Sequence, residues 1–238
     1  MKFASLLLMG LLQATALQNA YAGRSNTLNS QTPQTNSIDR SQDHELLKNV
    51  EWFAGAGNES ASAWQYLMSH NRERLVSDLK RISDGLSARD HHRVLISFTL
   101  CKMRVDYDHN RQVILSALSK SSPYKDLNGD WAVTMVGSLV MDGDKDQLKP
   151  LFKASEWSDG AMSTVLASTY SQALLMDPDS FLRLLSLQSQ STRDRVLYLL
   201  RDNSLSPQQN EKVKTYLRTV VPSSKLAPIA AQVLKALS

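Results

Sequence analysis

The sequence predicts an all-α chain, built as a right-handed solenoid of stacked antiparallel helix pairs. Three observations predict it. An Asp-x-Asp turn recurs as Asp106-Tyr107-Asp108, Asp142-Gly143-Asp144 and Asp177-Pro178-Asp179, at spacings of 36 and 35 residues. Each turn closes an apolar stretch of helical period and opens another, and a fixed period in this range is what stacked two-helix units produce. Two of those stretches, Trp131 to Met141 and Gly160 to Met176, carry no formal charge, as expected of helices with neighbours on both sides. Strand-like alternation never persists.

Taken in order, residues 1–22 read as a secretory signal peptide. Lys2 precedes the apolar run Phe3 to Leu12, and Ala20-Tyr21-Ala22 supplies a small-x-small cleavage site before Gly23. No Cys lies near that site, which disfavours a lipid-anchored form, so the chain is expected to be exported, periplasmic or extracellular. Residues 23–42 are Ser, Thr, Asn and Gln with one Pro and few apolar side chains. Such a segment buries too little surface to offset its ordering entropy and is expected to be a disordered polar tether. A single helical-repeat domain is then predicted over 43–238, starting where Asp43 opens an apolar periodicity.

Within it, Leu75, Leu79, Ile82 and Leu86 mark one amphipathic helix that Asn71 is placed to cap. Ser87-Ala88-Arg89-Asp90 resembles a capping box. The stripe Val94, Phe98, Cys101, Val105 marks the next helix and makes Cys101, the single cysteine, a buried small hydrophobe. Further helices are predicted at about 109–120, 130–141, 145–154, 160–176, 179–188, 192–202, 207–220 and 225–237. Gly160 to Met176 is 17 residues long with six Ser, Thr or Gln side chains. It is too short and too polar for the roughly 20 residues of a membrane span and reads as a buried inner helix.

Composition excludes some partners. The whole chain carries +4, and removal of Lys2 leaves 26 Lys and Arg against 23 Asp and Glu, mixed along the sequence. Nucleic-acid binding calls for basic residues gathered on one face, so none is expected.

The segments VLISFTLCKMRVDYD, DWAVTMVGSLVMDGD and VLASTYSQALLMDPD align on their first Asp. Met103, Leu139 and Leu174 stand three residues before it; Val105, Met141 and Met176 stand one before. On these segments the chain resembles the HEAT-like α-solenoids over about 87–190, without a tetratricopeptide or ankyrin pattern. The resemblance implies a protein-binding scaffold and nothing finer.

Candidate chemistry is sparse. Asp142, Asp144 and Asp146 look like the opening of a calcium loop, but its sixth position is Gln147 rather than Gly and its twelfth is Lys153 rather than Glu. Helix capping accounts for all three Asp-x-Asp turns together, most clearly at Asp177-Pro178. Asn58-Glu59-Ser60 contains the Glu-Ser pair of lytic transglycosylases but is not followed by that family's Gly-Ala-x-Gly-Leu-Met-Gln stretch. A helix start capped by Asn58 is the expectation there. His91 and His92, being adjacent, are expected on different helix faces and not to chelate together, so no metal or cofactor is expected. Arg89-Asp90-His91-His92-Arg93 reads as a polar helix start or a contact patch. Trp52, Phe53, Trp64 and Tyr66 gather near a Gly55-Ala56-Gly57 hinge, and tryptophan and tyrosine are the usual anchors of interfaces. Trp52, Phe53, Trp64, Tyr66, Arg89, His91, His92 and Arg93 are therefore the expected partner contacts. The expected function is binding of a protein or peptide in the groove, as an accessory, inhibitor or immunity-type factor, rather than catalysis. The alternative is an all-α cell-wall glycan hydrolase or lytic enzyme; a structural module of an envelope assembly ranks third.

Overall fold

A computed structural model of the protein describes residues 37–55, 57–124, 127–202, 204–220 and 224–238. The expected signal peptide and residues 23–36 of the expected tether lie outside them, as does Ala56 of the hinge. Among the described residues, 76% are helical, in twelve α-helices and two short 3-10 turns, with no strand. The chain is all-α.

The chain divides after Tyr107 into two compact units, where one domain was expected. The first holds α1 (Ser37–Ala54), α2 (Ser60–Ser69), α3 (Arg72–Gly85) and α4 (His92–Lys102). Helix α1 starts ahead of Asp43 because Ser, Asp, Arg and Gln present no barrier to extending a helix that Leu46 and Val50 anchor in the core. Asp43 is interior to it and takes both nitrogens of the Arg81 fork from α3, at 2.9 and 2.6 Å. That pair holds the Asp43 carboxyl below its ordinary value. Asn71 caps α3 as expected, accepting the Arg74 N–H at 3.0 Å, and Leu75, Leu79 and Ile82 are buried. Helix α4 is buried from Val94 to Cys101 on every face, packed on α1 and α3.

The second unit begins within α5 (Tyr107–Ala117) and continues with α6 (Gly129–Met141), α7 (Leu148–Ala154), α8 (Gly160–Met176) and α9 (Pro178–Ser186). It ends with α10 (Gln190–Leu200), α11 (Pro207–Thr219) and α12 (Ala227–Ala236). Helix α8 lies innermost, against α6, α9, α10 and α11. Its polar side chains are reconciled with burial by bonding their own helix. Thr169 Oγ1 donates to the Val165 carbonyl and Ser171 Oγ to the Ala167 carbonyl, both at 2.8 Å. The Tyr170 ring packs between Phe152 and Phe181, while its hydroxyl lies 2.6 Å from both the Leu151 carbonyl and Ser155 Oγ.

The three Asp-x-Asp turns do not share one geometry. Helix α4 ends in a Schellman motif: Arg104 is left-handed (φ 58°), with Val105 N–H on the Leu100 carbonyl and Arg104 N–H on that of Cys101. Helix α6 ends the same way with Gly143 left-handed (φ 105°), Asp144 N–H reaching Leu139 and Gly143 N–H reaching Val140. The matching residues, Arg104 and Gly143, are out of step with the Asp alignment by three positions. The third turn has no left-handed residue; Asp177 closes α8 and directly caps α9, accepting the Ser180 N–H at 3.1 Å. Capping thus holds for Asp177, whereas Asp144, before the 3-10 turn at Lys145–Gln147, makes no side-chain capping bond. Asp106 pairs with Lys80 at 2.7 Å. The Asp144 carboxylate takes Arg111 at 3.2 Å and the Gln147 side chain at 3.0 Å.

Candidate functional site

In the first unit, α1 and α2 form a hairpin that gathers the expected aromatic contacts, but the structure spends them unequally. Phe53 stacks on Trp64 (centroids 4.6 Å, 25° between planes) and on Phe98 of α4 (5.4 Å), so Phe53 and Trp64 are half-buried. Tyr66 meets the His70 ring edge-on at 4.7 Å. Burial, then the neighbouring Glu45 carboxylate, raises the Tyr66 hydroxyl above its ordinary pKa. Trp52 differs. It is 42% exposed, with Lys48 Nζ 4.5 Å from its ring centre one turn back. Met68 on α2 is also exposed, and the sequence reading missed it because a methionine within an apolar helix gives no sign of its outward face.

The second group sits where α4 begins. Arg89 is exposed, and Arg93 turns back toward the Leu86 carbonyl at 3.5 Å. Asp90 Oδ1 accepts the His92 backbone N–H at 2.9 Å and lies 2.9 Å from His92 Nδ1 and 3.9 Å from His91 Nδ1. The two imidazoles lie 4.1 Å apart, centre to centre. The expected divergence of the histidines is therefore corrected. His91 and His92 both have helical backbone, so their Cβ atoms diverge as expected, but both rings fold back toward the N-terminus onto Asp90. Burial pushes the Asp90 carboxyl up, yet the His92 N–H, the His92 ring and His91 together outweigh it and hold the group below its ordinary value. Asp90, His91 and His92 form the one group among the described residues with three metal-capable side chains whose ligand atoms all lie within 4.8 Å of one another. Asp142, Asp144 and Asp146 do not gather so; Asp146 instead pairs with Lys149 at 2.8 Å.

Glu59, the acid of the alternative reading, is exposed at the N-cap position of α2 and makes no side-chain capping bond. A general acid needs an enclosed, dry pocket. The expected N-cap at Asn58 moves one residue to Glu59, and the helix opens at Ser60, whose hydroxyl donates to the Phe53 carbonyl at 3.0 Å.

The second unit carries a groove the sequence did not signal, about 630 Å³, between one face of α10 and the end of α12. Asp194, Leu197, Arg201, Gln232 and Lys235 line it. Helix α10 is fixed by Arg195, whose guanidinium donates to the Ser155 and Ser158 carbonyls, each at 3.1 Å. The described residues contain no helix long and apolar enough to cross a membrane. No protein-family model, curated protein or solved structure matches the chain.

Proposed function

We propose that the protein is an exported helical-repeat scaffold that binds a protein or peptide partner, as an accessory, inhibitor or immunity-type factor. In this reading the helices stack as antiparallel pairs in a right-handed, HEAT-like solenoid. The observation that carries it is Trp52. Its neighbours Phe53 and Trp64 are used in stacking within the unit, whereas Trp52 keeps a large apolar face open to solvent beside Lys48. An exposed tryptophan flanked by a cation is the side-chain type that dominates interface energetics. The exposed Met68 on the same hairpin adds an adaptable apolar contact. Binding proceeds by surface complementarity on preformed helices, which keeps the ordering cost low.

The test is affinity capture from an envelope extract with the mature chain and its Trp52→Ala variant, the fold of each checked by circular dichroism. A protein retained by the wild type and lost with the variant supports the proposal. Equal retention by both, or none by either, refutes the assigned surface. Export is tested separately by the N-terminal mass of the protein recovered outside the cytoplasm, expected to begin at Gly23.

A further inference from the structure

We propose that Asp90, His91 and His92 form a binding site for a divalent transition-metal ion, with zinc the ion its chemistry suits best. Two imidazole nitrogens and one carboxylate oxygen are the ligands zinc takes at sites that keep a fourth position open. A tetrahedral ion with bonds of about 2.0–2.1 Å holds its ligand atoms about 3.3 Å apart. Asp90 Oδ1 lies 2.9 Å from His92 Nδ1 and 3.9 Å from His91 Nδ1, so the present separations bracket that spacing. Small side-chain rotations close the difference. All three side chains are about three-quarters covered, at 29%, 26% and 25% exposure for Asp90, His91 and His92. The ion is thus reachable from solvent while its ligands are held.

Binding replaces the contact between His92 Nδ1 and Asp90 by two bonds to the metal. Any Nδ1 proton is released, and the ring becomes the Nε2–H tautomer. The His92 backbone N–H remains on Asp90 and orients the carboxylate. The surroundings also select the ion. The site lies at the positive end of α4 with Arg89 and Arg93 in sequence beside it, a field that opposes cations bound mainly by charge. Calcium and magnesium are therefore disfavoured, while zinc and copper, which bond strongly to imidazole, are retained. Water fills the open position.

The experiment is isothermal calorimetry of the full-length mature chain with zinc, alongside the visible spectrum of the cobalt-loaded protein. Wild type is expected to bind one zinc in the micromolar range and to give the intense absorption of tetrahedral cobalt. Asp90→Asn keeps an acceptor for the His92 N–H, so the helix start survives, while zinc affinity falls at least about tenfold. His92→Ala should lose the cobalt spectrum. His109→Ala, at an exposed histidine of α5, should change neither readout. No zinc uptake by a folded wild type, or uptake insensitive to Asp90→Asn and His92→Ala, overturns the assignment.

Discussion

Gly137→Ala probes how closely α6 and α8 approach, because two effects of opposite sign meet at one atom. In a helix interior alanine is favoured over glycine by about 1 kcal/mol. A Cβ on Gly137, however, would stand 3.0 Å from both Cγ2 and Oγ1 of Thr169 and 3.6 Å from its Cβ. Rotation about χ1 gives little relief, since a β-branched side chain has two heavy atoms to place and Oγ1 is bonded to the Val165 carbonyl. The helices must part, and overpacking of this kind costs about 1–3 kcal/mol. The net expectation is a loss of up to about 2 kcal/mol, the clash outweighing the propensity gain. In a Thr169→Ala background the obstructing atoms are gone, and the same change should become stabilising by up to about 1 kcal/mol. Urea unfolding of the four proteins gives a coupling energy, expected at about 1–3 kcal/mol. A Gly137→Ala variant that stabilises by the same amount in both backgrounds would refute the close approach.

Other outcomes follow from the same packing. Tyr170→Phe removes a buried hydroxyl but leaves the Leu151 carbonyl its Ser155 N–H, so the loss should be about 1–2 kcal/mol by denaturant unfolding. Asp177→Ala should cost about 1 kcal/mol by removing the cap of α9. Burial raises the Asp177 carboxyl, but the Ser180 N–H and Lys145 outweigh it and leave the folded group below its ordinary value of 3.8. Its contribution is therefore complete above that value and lost as pH falls through the lower folded one, a slope that Asp177→Asn should flatten in acid titrations. Phe53→Ala, which breaks two ring stacks, should destabilise toward the low end of about 3–5 kcal/mol, and Trp52→Ala by clearly less.

Helix existence was legible because apolar period and punctuation agree: Asn71 and Asp177-Pro178 both cap or open helices in the structure. Uncharged stretches also read correctly, since α8 could lose its charges only by being surrounded. What misled was treating a sequence motif as a structural unit. The Asp-x-Asp period aligns Asp106 with Asp142, yet the helix-ending geometry aligns Arg104 with Gly143, because a Schellman turn is fixed by which residue goes left-handed. Arginine carries a Cβ penalty in that conformation at Arg104, and local propensity gives no warning of it.

The geometry of the candidate sites was less legible for a related reason. The helical offset fixes where Cβ points but not where the ring ends, and Asp90, directly before the two histidines, draws both rings together despite it. Exposure was equally hidden. Trp52 and Phe53 are neighbours of similar hydrophobicity, and only the arrival of Trp64 from α2 and Phe98 from α4 makes one a stacking partner and leaves the other on the surface. That asymmetry is long-range, so no window of the sequence contains it. It is also why the binding proposal is carried by Trp52: three of the four aromatics that suggested a contact region meet other rings within the fold, while Trp52 keeps an exposed face beside Lys48.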